Sequence, residues 1–171
     1  DVDARRLDVA TRKYPDAVTF SDFREMISQL GDKIDVMNVS TADHTHGPAA
    51  MMGMRWGIHV YVQKTLTHTV WEARQLAEMA RTNNICTQMG NQGTAAEGLR
   101  EGAEYIRAGG LGDVKEIHAW TNRPVWPQAP MITARPNETM SVPDHLDWNS
   151  FIGPAPMRPY HSSYTPFKWR G

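Results

Sequence analysis

Between residues 18 and 108, short β-branched apolar runs alternate with longer segments whose apolar residues recur every three or four positions. That alternation predicts βα repeats and a parallel sheet, hence an α/β fold. The strands are expected at 18–20, 36–39, 59–62 and 85–89. The first helix begins after Asp22, where Asp22 and Glu25 fit a capping box, presents Phe23, Met26, Ile27 and Leu30 on one face, and stops at Gly31. The second is expected at 47–56, with Pro48 in its first turn and Gly57 at its exit. Thr69 and Glu72 form a second capping box, followed by Val70, Ala73, Leu76, Ala77 and Ala80 at helical spacing. A fourth helix at 95–108 ends at Gly109 and Gly110. All four are expected to pack on the sheet.

After Gly112 the pattern changes. Residues 114–121 read as a strand of a different sheet, and a Pro- and Trp-rich tract with little periodicity follows. Most of the 11 prolines lie after Arg123, which makes this second region irregular rather than helical. A boundary is expected at Leu111, dividing the chain into 1–111 and 112–171. Beyond the βα alternation there is no internal repeat.

Composition narrows the function classes. The 171 residues suffice for one respectable core. Eighteen Lys plus Arg against 19 Asp plus Glu leave a net charge of -1, so no electrostatic argument favours nucleic acid or an anionic membrane as partner. The lone Cys86 excludes an intrachain disulfide, and its apolar neighbourhood predicts an inert core thiol. No apolar run reaches membrane-spanning length, and the opening residues do not read as a signal peptide. A charged first residue and an uncapped end read as a piece of something longer. The compartment, cytoplasmic or exported, therefore stays open, since a signal would lie upstream of Asp1.

In a parallel sheet, ligands bind beyond the carboxyl ends of the strands, so residues 40–46 and 63–67 should open onto one crevice. If a hydrophobic strand precedes Asp1 to Asp3, an acid at its end is placed to accept both hydroxyls of an adenosine ribose and to repel a 2′-phosphate, favouring NAD over NADP. Arg5 and Arg6 weaken that preference, and the bland alternative is solvated surface. The glycine fingerprint GxGxxG is missing from the chain. His44 and His46 could ligate zinc as a HisXHis pair, the rival reading being a zinc hydrolase, although spacing signals no third ligand. Lys64, at a strand end, is either a charge leaving for solvent or an ammonium placed to hydrogen-bond a substrate hydroxyl. Trp126 and Trp169, among prolines, could stack on a sugar ring, although indoles serve packing more often.

Taken together, ValSerThrAlaAspHisThrHis at 39–46 and HisValTyrValGlnLysThrLeuThrHis at 59–68 resemble the Gfo/Idh/MocA family of oxidoreductases. That family has a ThrPro turn with His five residues after the Thr, matched by Thr41 and His46. It also has a GluLysPro motif closing the next strand, whose lysine is matched by Lys64. MetGlyAsnGlnGly at 89–93, the run 104–124 and AspTrpAsnSerPheIleGlyProAlaPro at 147–156 look like one bacterial branch of it. The resemblance implies a partial Rossmann-type parallel sheet followed by the start of an α/β substrate domain, whose open sheet often mediates homo-oligomerisation. It also implies roles by position: Asp1 at the adenosine ribose, Ser40, Thr41 and His46 beside the cofactor, Gln63 and Lys64 at nicotinamide and substrate, and Asn91 at the crevice floor. Two departures stand out. Gln63 replaces the usual Glu, and Thr65 replaces the usual Pro, leaving the backbone at Lys64 less restrained.

The activity implied for the parent protein is hydride transfer between nicotinamide, NAD or NADP with NAD favoured, and a small sugar, polyol or related hydroxyl compound. The alternatives are an NAD-dependent glycosidase of the same family and a catalytically inactive fragment. This chain lacks both the phosphate-binding glycines and the AspXXXHis element expected after Gly171.

Overall fold

The computed structural model describes residues 1–121 and 134–166. Two compact units divide the chain: Asp1–Asn91 with Pro143–Met157, and Gln92–Val142 with Arg158–Gly171. Residue 111 thus lies inside the second unit, and the first extends no further than Asn91 before a later segment returns to it.

The first unit is a parallel sheet with helices on one face. Its elements are α1 (Ala4–Lys13), α2 (Phe23–Leu30), β1 (Val36–Val39), α3 (His46–Arg55), β2 (His59–Gln63), α4 (Val70–Asn83), β3 (Thr87–Gly90) and the short α6 (Trp148–Ile152). The strands run in the order β1-β2-β3, with Val39 opposite Val62 and Val62 opposite Met89. Alternation sends Met37, Val39, Val60 and Val62 inward, where they meet Ile27, Ala49, Ala50, Met54, Ile58, Leu76 and Ile85 in one apolar core. The opposite face carries the exposed Val36, Asn38, Tyr61 and Gln88. A β-carbon on Gly53 would lie 2.6 Å from Met37 Cε, so that glycine sets how closely α3 approaches β1.

Helix ends follow local chemistry. Asp22 accepts from Arg24 N and pairs with the Arg24 side chain, so it caps α2 without the expected reciprocal bond from Glu25. At α4 the Thr69–Glu72 capping box is complete. Gly57 has φ +80 and supplies the left-handed exit after α3 that a side chain would resist.

Several expectations are corrected. Residues 18–20 form no strand; Val18 is exposed and the run is too short to pair. The last strand is Thr87–Gly90 rather than 85–89, because Ile85 still packs in the core while Cys86 opens the ladder through its carbonyl, 3.1 Å from Val60 N. Cys86 is exposed, not core: alternation turns it away from the face that buries Ile85. Residues 114–121 form no strand, and Ile117 and Trp120 are exposed, since an alternating pattern does not itself supply a partner. The helix expected at 95–108 is α5 (Glu97–Arg107), which belongs to the second unit and buries none of its residues. No helix among the described residues is long and apolar enough to cross a membrane.

Helices α1 and α6 were not foreseen, and they are joined. Asp3 bridges Leu146 in antiparallel fashion, Ala4 N donates to the His145 carbonyl at 2.8 Å, and Asp147 N donates to the Val2 carbonyl at 2.9 Å. Asp3 caps α1 and Asp147 caps α6. Hydrogen bonds from Arg5 hold the Asp3 carboxyl below the usual carboxylate range, those from Arg24 do the same for Asp22, and those from Ser150 for Asp147. Depressed folded values mean that this stabilisation is complete above the unfolded aspartate pKa of about 3.9 and is lost as pH falls through the lower folded values. The urea midpoint should therefore drop as the pH falls from about 4 towards about 2, and Asp147→Asn should shrink the drop. An identical pH dependence in that variant would remove Asp147 from the account.

Candidate functional site

Parallel register brings the segments after β1 and β2 out of the same sheet edge. After Val39 the chain makes a polar turn that ends in a single 3-10 turn, Asp43–Thr45, before α3. Ser40 is exposed and its hydroxyl donates to Asn38 Oδ1 at 2.9 Å. The buried Thr45 hydroxyl lies 2.7 Å from Thr41 Oγ1 and 2.8 Å from the Ala42 carbonyl, tying the Thr41 side chain into the turn.

His46 joins the two segments. It is fully buried, with Nε2 3.0 Å from the Thr41 carbonyl oxygen and Nδ1 2.5 Å from that of Thr65. Both ring nitrogens thus face acceptors; a neutral ring donates to one of them at a time and a protonated ring to both. His44 Nε2 faces the Phe151 carbonyl at 3.0 Å, and its ring meets Phe151 edge-on at 6.3 Å. Zinc ligation by this pair is corrected, because a ring whose two nitrogens point at carbonyl oxygens has no lone pair directed at a shared metal. For the same reason the His46 side chain reaches the crevice only through the backbone it holds.

After β2, the Lys64 N–H is shared between the Gly90 carbonyl at 3.1 Å and the Gln63 side-chain oxygen at 3.0 Å. Gln63 therefore braces the backbone that carries Lys64, and its amide NH2 remains as a donor. The Lys64–Thr65 peptide is cis. Lys64 is half-buried, and its ammonium makes no hydrogen bond or ion pair with a described residue. Where the family pattern would place a proline ring at Thr65, the His46 contact holds this backbone.

Gly90 ends β3 against Gln63. A β-carbon there would fall 2.4 Å from Gln63 Oε1 and 2.8 Å from the Tyr61 hydroxyl. Gly90→Ala is expected to destabilise the chain by about 1–3 kcal/mol through overpacking and to displace Gln63. A urea midpoint unchanged from that of the parent chain would show that the site has slack. Asn91 follows immediately, exposed at the same edge.

Ser40, Thr41, His46, Gln63, Lys64 and Asn91 are thus gathered at one sheet edge. Asp1 is not among them in any described contact: it is exposed, and its carboxylate accepts from Asp3 N at 2.9 Å. Trp126 and Trp169 lie outside the described residues. Sequence reading missed the bracing groups Thr45, Phe151 and Gly153. Trp148 stacks on Phe151 at 5.4 Å, and Gly153, at φ +54, passes so close to Thr45 that a β-carbon would sit 2.9 Å from its methyl group. Only the AspTrpAsnSerPheIleGly run signalled this segment, and nothing in its spacing points to a turn more than a hundred residues earlier.

The pattern of the Gfo/Idh/MocA oxidoreductase family, NAD-binding Rossmann fold, matches residues 2–91. Among curated relatives, glycosyl hydrolase family 109 protein 1 of Shewanella sp. (strain ANA-3) is 33% identical over 106 residues, covering 60% of this chain and 22% of its own length. The chain thus spans about a fifth of the curated relatives it matches. Among solved structures, myo-inositol 2-dehydrogenase from Lactobacillus plantarum superposes with a TM-score of 0.61 at 19% identity, covering 67% of this chain and 33% of that one. An inositol dehydrogenase homolog from Azotobacter vinelandii, complexed with NADH and myo-inositol, gives 0.60 at 24% identity, covering 67% and 32%. These two likenesses concern the fold. The family pattern covers more than half of the chain, from α1 through all three strands and Lys64, and the chain belongs to the Gfo/Idh/MocA oxidoreductase family, whose NAD-binding Rossmann fold it carries.

Proposed function

We propose that this chain is the part of an NAD(P)-dependent oxidoreductase that flanks the nicotinamide, and that the whole protein oxidises or reduces a hydroxyl carbon of a sugar, polyol or related compound. The observation that supports it most is the braced Lys64: a half-buried residue on a backbone held from Gln63 and Gly90 and, at the next carbonyl, from His46, at the carboxyl edge of a parallel sheet. The donor set fits a dinucleotide. Hydroxyls at Ser40 and Thr41 and amides at Gln63 and Asn91 suit ribose hydroxyls and a carboxamide, and no carboxylate stands in that set to repel phosphate. Bound nicotinamide supplies or receives the hydride. Lys64 hydrogen-bonds the substrate oxygen and stabilises the negative charge that grows there as its proton leaves. The His of the downstream AspXXXHis element is the expected proton acceptor. We favour NAD over NADP on the acid Asp1, which disfavours a 2′-phosphate. Within 112–171, the residues other than Pro143–Met157, which belong to the first unit, are read as the beginning of a substrate domain.

A second reading follows from the relatives named for glycosyl hydrolase family 109: NAD used transiently, with glycosidic cleavage and no net cofactor reduction. A product assay on the full-length protein separates the two. Accumulating NADH with a polyol or sugar supports the dehydrogenase. Release of an aglycone from a glycoside at constant NAD supports the glycosidase, and neither product would refute both.

A further inference from the structure

The second unit contains a pocket that plays no part in the reading above. It is shallow and open to solvent, holds about 210 Å³, and is walled by two segments that include Arg135, Asn137 and Glu138 from one and Arg158, His161 and Tyr164 from the other. A hydrogen bond from Met140 N to the Tyr160 carbonyl, 3.0 Å, ties the segments together.

Its chemistry is that of an anion site. The Arg158 guanidinium lies 5.6 Å from the Tyr164 ring centroid, a stacking that orients its planar fork. The buried Ser163 donates its N–H to His161 Nδ1 at 3.1 Å. The Ser163 hydroxyl lies 2.8 Å from the same nitrogen, so Ser163 occupies Nδ1, and Nε2 makes no hydrogen bond with a described residue. The His161 ring is held edge-on to Tyr164 at 6.5 Å. Against two guanidinium groups the wall carries one carboxylate, Glu138, which forms no ion pair with a described residue. Asn137 and the Tyr164 hydroxyl add neutral hydrogen-bonding groups suited to a hydroxylated skeleton.

We infer that this pocket binds a small hydroxylated oxyanion, a sugar acid or sugar phosphate, through Arg158, Arg135 and His161. The shared chemistry is a carboxylate or phosphoryl group met by a planar guanidinium fork and an imidazole N–H. The inference does not rest on the oxidoreductase reading, because binding is measured without cofactor.

Calorimetric titration of the whole chain with D-glucuronate, D-glucose 6-phosphate, D-glucose and inorganic phosphate tests it. One of the two sugar acids should bind at least about tenfold more tightly than glucose and than inorganic phosphate, and which one wins identifies the source of the oxyanion. Arg158→Gln should weaken that binding by about tenfold or more, and Glu138→Gln should tighten it by about threefold, a gain that damage to the fold cannot imitate. No saturable binding of either acid, equal binding of glucose, inorganic phosphate binding as tightly as the acids, or affinities unmoved by both substitutions would each overturn the inference.

Discussion

Replacing Lys64 with alanine in the full-length protein should lower turnover by about a hundredfold or more, the ordinary scale for a lost acid–base or charge-stabilising group. Affinity for NAD should change by less than about tenfold, because the strand-end hydroxyls and amides that suit the cofactor are left in place. The split follows from the geometry. The Lys64 backbone is held by its own N–H to Gly90 and Gln63, bonds that alanine keeps, so the substitution removes the ammonium without releasing the loop. Steady-state kinetics alongside cofactor titration provides the measurement. Turnover within about threefold of the parent would remove Lys64 from the chemistry. A parallel loss of NAD affinity would move its role to the cofactor.

His46→Ala should destabilise the chain by about 3 kcal/mol: about 1 kcal/mol for the one hydrogen bond that a neutral ring donates, and the remainder for the cavity left by a fully buried ring. With a urea m-value of about 1.5 kcal/mol/M for a chain this small, the midpoint should fall by about 2 M. The damage should also be local. Amide exchange should accelerate at 41–46 and 64–66 before it does in β1 and β2, since those two segments lose the ring that joins them. A midpoint shift below about 0.5 M would show that the two segments are held by other means.

Together these expectations divide the strand-end residues into two kinds. In the proposed reading Lys64, Ser40 and Asn91 are the residues that would meet a ligand, while His46, Thr45 and Gly90 hold the frame. Sequence spacing could not separate them, because ThrAlaAspHisThrHis presents two histidines and two threonines of equal apparent promise. Direction decides. His46 opens α3 and turns into the core, whereas His44 lies in the preceding turn and faces the segment around Phe151.

Much of the architecture was nonetheless legible. Three strands of the sheet and helices α2, α3 and α4 sit within two residues of where periodicity and caps put them, because each is fixed by local terms: a capping side chain, an apolar face, a glycine exit. The readings at 18–20 and 114–121 failed for the opposite reason. A β-branched or alternating run becomes a strand only when a partner lies beside it, and partners are not a local property. Cys86 shows the same limit on a smaller scale, where an apolar neighbourhood promised burial and the strand's two-residue alternation turned the thiol outward.

By itself, then, the sequence determined the α/β alternation, the helix caps and the sheet edge on which 40–46 and 63–67 emerge. All of these depend on interactions between residues a few positions apart. The tertiary structure alone decided that His46 is a clamp, that Gln63 and Gly90 brace Lys64, and that a helix at Trp148–Ile152 returns to lock the turn carrying Thr45. The contacts that join separate segments, His46 to Thr65, Lys64 to Gly90 and His44 to Phe151, link residues from about twenty to more than a hundred positions apart, and they are made to backbone carbonyls that every residue possesses. Side-chain spacing therefore leaves no trace of which ones meet.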